Sequence, residues 1–337
     1  MKILIYSPLF YPSVGGTETV MGILAQQFHH FGHEVQVVTQ TLAVEPDCFP
    51  FAIVRRPNPQ TLLNLTRWCD VYFQSCISLK GVWPLLLVRR TFCVNHHIWY
   101  RREDGTRGWQ DHLKRWVTRF ATNISISQAI ADDLPVPSVI VPNPYQDNLF
   151  RLLPEVPRDR TLIFLGRLVS DKGVDVLVEA LGILKHQEGL TPDLTIVGEG
   201  PEEPALRKQI EALCLMDQVQ FVGIKTGENL VQILNQHQIL VVPSRWEEPF
   251  GIVALEGMAC GCWVIGSAGG GLKDALGAWG ETFPNGDGEA LARSLAQALK
   301  NPAILSAHRE QVTQHLARHT MATVAKAYLA VFERSLP

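Results

Sequence analysis

The sequence predicts an α/β protein of two domains, each a parallel sheet wound by helices, and three observations predict it. Apolar strand-like runs alternate with helical patterns along the whole chain, which is how sheets covered by helices are encoded. At 337 residues the chain is long enough for about two domains, and 46% hydrophobic residues are ample for two buried cores. A weakly periodic stretch from Pro142 to Arg160, carrying Pro142, Pro144, Pro154 and Pro157, supplies a linker near the middle. Domains are therefore expected at residues 1–150 and 151–317, followed by a terminal helical segment, 318–337.

In the first half, strands are expected near Lys2, Glu34, Asp70, Thr91, Asn123 and Val139. The first runs from Lys2 to Ser7 and ends in PLFYPSVGGTE, where Gly15 and Gly16 let backbone approach a ligand. Thr17 is placed to cap a helix running to about Phe31. The strand Thr91 to Val94 ends in Asn95, His96 and His97. In the second half, strands are expected near Thr161, Asp193, Gln218, Gln238 and Cys262, and Ala303–Arg318 and Met321–Ser335 read as terminal helices.

Composition excludes several classes. A net charge of −3 argues against a general nucleic-acid binder, although residues 1–141 balance at +3 and the remainder at −6. Seven scattered cysteines without metal spacing form no disulfide framework and suit reduced thiols in a cytoplasmic protein; Cys260-Gly261-Cys262 is too tight for the usual zinc pattern. The beginning, MKILIYSPLFYP, lacks a long apolar core and a small-residue cleavage site, so it reads as a strand and not a signal peptide. Val82 to Val88, the longest apolar stretch of the first half, contains Pro84 and is far too short to span a bilayer.

The most informative segment is SRWEEPFGIVALEGMAC, Ser244 to Cys260, which follows the apolar run Ile239 to Val242. Pro249 favours an extended Glu248 and tolerates a helix start just after it. Ile252, Leu255, Met258 and Ala259 then have helical spacing, so the amides near Phe250 and Gly251 are free to hold an anion. Glu256 lies about 7 Å along the axis from Gly251 at a rise of about 1.5 Å per residue. Two carboxylates and a set of free amides suit a ligand that offers both hydroxyls and phosphates, a nucleotide sugar.

A second motif, LGRLVSDKG from Leu165 to Gly173, sends Arg167 and Lys172 out of the end of a strand together. A planar bidentate donor with a mobile ammonium matches a diphosphate, each contact being worth on the order of 4 kcal/mol before desolvation. The alternative is a surface pair of Lys172 with Asp171 or Asp175. No G-x-G-x-x-G follows the first strand, and Gly198-Glu199-Gly200 lacks the third glycine, so a dinucleotide fingerprint is excluded.

Taken together these motifs resemble the retaining glycosyltransferases of the GT-B fold, two Rossmann-like domains facing across a cleft, and among them the large family 4. The resemblance covers nearly the whole chain. It rests on the E-x7-E pattern from Glu248 to Glu256, on Gly166-Arg167 with Lys172, on VGEGP at Val197–Pro201, on FVG at Phe221–Gly223, on VVPS at Val241–Ser244 and on Gly15-Gly16. It implies that Arg167 and Lys172 bind the donor diphosphate, Glu248 the sugar hydroxyls and Glu256 the ribose. Gly15, Gly16, Gly198, Gly223, Pro249, Phe250, Gly251 and Ile252 would line the donor site. His96, with His97 as runner-up, would face the donor sugar, and the last helix would cross back onto the first domain. Lys273-Asp274, Trp263 and Pro144 depart from the family pattern without removing a charged contact.

The expected activity is transfer of a sugar from a nucleotide-diphosphate sugar to an acceptor hydroxyl on a glycan, a lipid-linked compound or a small molecule. No cofactor and no metal are expected, since D-x-D is absent from the sequence. A sugar-nucleotide epimerase of the same architecture and a non-catalytic nucleotide-sugar binding protein are the alternatives. Finally, Arg89 to Phe120 carries eight Lys+Arg against three Asp+Glu among Trp99, Tyr100, Trp109 and Trp116. Trp109, Leu113, Trp116, Val117 and Phe120 share helical spacing and are read here as a core-facing stripe with a solvated basic back. The alternative is a peripheral dock for an anionic membrane, at its inner face, or for a lipid-diphosphate acceptor.

Overall fold

The structure, a computed structural model, describes residues 1–13, 15–43, 48–102, 105–301 and 309–337. The chain forms two units, Met1–Pro144 with His319–Pro337, and Tyr145–Arg318.

The first unit holds seven parallel strands, β1 (Lys2–Tyr6), β2 (Glu34–Thr39), β3 (Ala52–Arg55), β4 (Val71–Ser75), β5 (Thr91–His96), β6 (Thr122–Ser125) and β7 (Val139–Ile140), in the order β3-β2-β1-β4-β5-β6-β7. Its helices are α1 (Gly16–His30), α2 (Pro59–Trp68), α3 (Leu79–Val82), α4 (Trp109–Val117) and α5 (Gln128–Asp133), joined by the last helix, Met321–Ser335. Strands β1, β4 and β5 are buried along nearly every residue because helices cover both faces, which is why they read as unbroken apolar runs. Strand β3 escapes such a reading: it is a short edge strand with no buried residue.

On one face Phe28 of α1 meets Phe73 of β4 and Phe332 of the last helix, with ring centroids 6.4 and 5.6 Å away. The other face gathers Leu4, Tyr72, Val94, Leu62 of α2 and Val117 of α4. Two expectations are corrected. Helix α1 starts one residue before Thr17, capped by Gly15 without a side-chain bond, so Thr17 is an ordinary first-turn residue. The stripe on α4 faces outward: Trp109, Leu113, Trp116 and Phe120 are 71%, 38%, 51% and 64% exposed, while Val117 and Thr118 turn to the sheet. Helical spacing defines a face, and it does not say which way that face points.

The second unit holds β8 (Arg160–Leu165), β9 (Leu194–Val197), β10 (Val219–Phe221), β11 (His237–Val242), β12 (Trp263–Ser267) and β13 (Gly280–Phe283), all parallel, in the order β10-β9-β8-β11-β12-β13. Helices α6 (Val174–Ile183), α7 (Glu203–Ala212), α8 (Gly227–Asn235), α9 (Ile252–Ala259), α10 (Leu272–Leu276) and α11 (Gly288–Lys300) cover it, and a further helix spans Arg309–Ala317. Of the helix expected over 303–318, residues 303–308 lie outside the described residues. Strand β13 is a second edge strand too polar to signal itself.

The later part of the proline-bearing stretch is pinned to this unit. The Asn235 side chain accepts from Leu153 N and donates to Arg151 O, and the Arg158 guanidinium donates to the carbonyls of Cys260 and His237. All seven cysteines are free thiols, and among the described residues no helix is long and apolar enough to cross a membrane.

Candidate functional site

In the second unit β8 is flanked by β9 on one side and β11 on the other, so successive connections leave the central strand in opposite directions. Such a switch point opens a crevice at the carboxyl ends of the strands. The loops that follow β8, β9 and β11 meet there, and glycines set how closely they approach. A Cβ on Gly198 would lie 1.9 Å from the Gly166 carbonyl oxygen, and one on Gly200 would lie 2.2 Å from that of Leu168. Backbone bonds lace the same loops: Gly166 N donates to Val197 O, Leu168 N to Glu199 O, and Gly198 N to Gly223 O.

Lys172 ends a short 3-10 turn, Ser170–Lys172, just before α6. The turn is held against the loop after β11 because the amides of Arg245 and Trp246 both donate to the Asp171 carbonyl. Gly173, with φ of 66°, lets the chains touch, since a Cβ there would lie 2.0 Å from the Pro243 carbonyl oxygen. This contact brings Lys172 Nζ within 2.5 Å of Glu248 Oε1, and Ser244 Oγ donates to the same oxygen at 2.7 Å. The surface pairing considered for Lys172 does not form; Asp175 binds Arg245 instead.

Glu248 is fixed from its backbone as well. Its carbonyl accepts from Gly271 N at 2.7 Å, in a parallel bridge with Gly270, whose φ of 73° admits no ordinary side chain so close to that carbonyl. Gly251 then turns the chain with φ of 97° into α9, and Phe250 before it is buried. The Ala254 amide donates to the Gly251 carbonyl, and the amides of Ile252 and Val253 before it are the ones a helix start leaves for an anion. Glu256 lies one turn further along, and its carboxyl makes no hydrogen bond or ion pair among the described residues, its backbone carbonyl accepting from Cys260 N. Although part of the residue meets solvent, the carboxyl is walled in by protein, and desolvation pushes its pKa up to about 7.

Arg167 is exposed, and its guanidinium makes no ion pair among the described residues. With Gly166, Gly198, Glu199, Ile224 and Lys225 it lines a recess of about 250 Å³ at the same strand ends. The structure therefore gathers Arg167, Lys172, Gly198, Gly223, Glu248, Pro249, Phe250, Gly251, Ile252 and Glu256 on one edge of one sheet. Ser244 was not singled out from the sequence; its signal was its place four residues before Glu248, directly after the strand.

Gly15, Gly16 and His96 belong to the other unit. Gly15 is extended, and the nearest atoms to a Cβ there would be the movable Glu18 carboxylate at 2.6 Å, so nothing in its own unit demands a glycine at this position. His96 is fully buried with both ring nitrogens engaged, Nδ1 with Tyr100 Oη at 2.8 Å and Nε2 with Asn123 Oδ1 at 3.0 Å. Burial lowers its pKa to about 4. The expectation that His96 presents its ring to a sugar thus meets a ring already satisfied by its neighbours. His97 is also buried; its Nε2 contacts the Asn95 amide at 2.6 Å, and burial lowers its pKa to about 3. Among the described residues no group of three or more His, Cys, Asp or Glu is arranged to hold a metal.

The family described as glycosyl transferases, group 1, matches residues 146–315, half of the chain. A D-inositol 3-phosphate glycosyltransferase from Salinispora tropica is 36% identical over 157 residues, 44% of this chain and 32% of that protein. A glycogen synthase from Mycobacterium tuberculosis is 34% identical over 176 residues, 50% of this chain and 42% of that protein. The matches thus span less than half the length of these two relatives. Among solved structures, Anabaena HepE in complex with UDP superposes with a TM-score of 0.81 at 20% identity, covering 99% of this chain and 100% of that one. Sucrose-phosphate synthase from Thermosynechococcus elongatus gives 0.79 at 20% identity, covering 99% of both. The architecture of two parallel-sheet units is that of these neighbours, the GT-B fold.

Proposed function

Because the chain belongs to the group 1 glycosyl transferases, we propose that it moves a sugar from a nucleotide-diphosphate sugar to an acceptor hydroxyl, as a retaining and metal-independent enzyme of family 4. The observation that carries this reading is the joining of Lys172, Glu248 and Ser244 at the switch point, beside the start of α9. Diphosphate charge finds an ammonium, an exposed guanidinium at 167 and the helix amides; sugar hydroxyls find the Glu248 carboxylate. As the glycosidic bond opens, these cationic and dipolar groups stabilise the leaving diphosphate, the part a divalent ion plays elsewhere. Glu248 Oε1 is shared by Lys172 and Ser244, which leaves Oε2 to accept from the sugar. Glu256, held near neutrality by burial, is suited to bond a ribose hydroxyl as donor or acceptor.

UDP is the first nucleotide to test, since the HepE structures carry UDP, UDP with glucose, and UDP-glucose. His96 is assigned a positioning role through Tyr100 and Asn123. The protein mixed with labelled UDP-, GDP- or ADP-sugars and a hydroxyl acceptor should release the nucleoside diphosphate, and the release should persist in chelator. Glu248→Gln and Lys172→Ala should each abolish it with the fold intact. Tight donor binding without release from any sugar nucleotide would favour the non-catalytic binding protein; near-normal rates in Glu248→Gln would refute its role.

A further inference from the structure

We propose that the exposed face of α4 is a docking surface that seats the first unit on an anionic lipid bilayer. Four large apolar side chains, Trp109, Leu113, Trp116 and Phe120, follow one another at spacings of four, three and four residues and all meet solvent. Trp116 and Phe120 stack edge to face with centroids 4.8 Å apart, so the lower part of the stripe is a preformed aromatic ridge. Soluble surfaces rarely carry such a contiguous apolar face without a partner.

The patch extends beyond the helix. Leu86 and Leu87, 85% and 68% exposed, precede β5, while Phe120 precedes β6, the neighbouring strand. Their flanking residues Trp83, Leu85 and Val117 pack into the same core cluster, which puts both segments on the same face of the sheet. Exposed leucines and exposed aromatics therefore stand at the amino ends of adjacent strands.

Charge selects the occupant. Arg89, Arg90 and Arg119 are exposed beside these apolar groups, and none of them pairs with a carboxylate among the described residues. Arg107, just before the helix, and Arg115 on it instead share the single carboxylate of Asp133. Apolar side chains with exposed, unpaired guanidinium groups at one end match the headgroup region of a bilayer, where rings enter the interface and guanidinium groups meet lipid phosphates. A second copy docked on the same face would bring cation against cation, which disfavours self-association.

Binding is read by sedimentation of the full chain with vesicles of phosphatidylcholine containing about a third phosphatidylserine, at low salt. The expected result is co-sedimentation at least tenfold above that with pure phosphatidylcholine, falling steeply with added salt. The double substitution Trp116→Ser, Phe120→Ser should lower the partition at least tenfold while far-UV circular dichroism and the melting temperature stay as in the parent, because these side chains are already in water. Arg89→Gln with Arg90→Gln should weaken binding without abolishing it. A parent chain that stays in the supernatant with anionic vesicles overturns the proposal, as does a parent dimer that the double substitution converts to a monomer without any vesicle binding. None of these readouts needs transferase activity, so failure here leaves the proposed function standing.

Discussion

Replacing Gly173 by alanine tests how Lys172 reaches Glu248. With φ at 66°, an alanine pays roughly 1–2 kcal/mol for the left-handed conformation. Its Cβ would also lie 2.0 Å from the Pro243 carbonyl oxygen. Ordinary C···O contacts begin near 3.3 Å, so the turn and the loop after β11 must part by about 1.3 Å. If that movement is taken up at the ion pair, the 2.5 Å contact opens to about 3.8 Å. At an effective dielectric near 20 the attraction then falls from about 6.6 to about 4.4 kcal/mol. The substitution should therefore cost about 3–4 kcal/mol in total, of which about 2 kcal/mol is lost charge attraction. Urea denaturation of Gly173→Ala, Lys172→Met and the double variant separates the parts: in the Lys172→Met background the glycine change should cost only the backbone share. Equal costs of Gly173→Ala in both backgrounds would show that the turn does not hold the pair.

Three further outcomes follow from the geometry. Burial raises the folded pKa of Glu256 to about 7 from its ordinary 4.5, so the fold binds its proton more tightly than the unfolded chain does. Its contribution is fully present below 4.5 and is lost as pH rises through 7; the stability difference between the parent and Glu256→Gln should change by up to about 3 kcal/mol across that window, and a flat difference would contradict it. His96→Ala should cost about 2–4 kcal/mol in denaturation, because it empties a buried site and strands the partners Tyr100 and Asn123. A variant that loses turnover at full stability would return His96 to the ligand. Since burial depresses the His96 pKa to about 4, its share of stability is intact above 6.5 and fades as pH falls towards 4. Arg167→Ala should leave the melting temperature within about 1 °C, as expected of an exposed side chain with no ion pair, while raising the donor KM at least tenfold; an unchanged KM would remove the guanidinium from the donor.

Much of this arrangement was legible in the chain. The strands with unbroken apolar runs, β1, β4, β5, β8 and β11, were readable because burial on both faces leaves no polar alternation to confuse. Two of the four edge strands were not: β3 is only four residues long and β13 is half polar, each is held by backbone pairing to one neighbour, and nothing in their side chains reports that. Glu248 and Lys172 were found by residue type and position after strands. Their direct pairing was hidden, since it depends on two loops meeting through Gly173 and the Asp171 carbonyl, 70 residues apart in sequence from their partners in the case of the Asp175–Arg245 pair alongside. His96 shows the converse: its place at a strand end suggested an exposed ring, yet Tyr100 and Asn123, from the following loop and the next strand, enclose it. The outward turn of α4 could not be read because amphipathic spacing looks the same whether its apolar side meets a core or another medium.

The packing of Phe332 and Tyr328 against Phe28 and Phe73 has a consequence for biosynthesis. The amino-terminal half leaves the ribosome first, but one wall of its interior is encoded by Met321–Ser335, downstream of the whole second unit. Until translation reaches Met321–Ser335, that half stands with an apolar flank open to water, and the carboxyl-terminal unit is finished before it. The nascent chain therefore closes the first unit after the second, and a truncation near residue 318 would injure the earlier unit more than the later one.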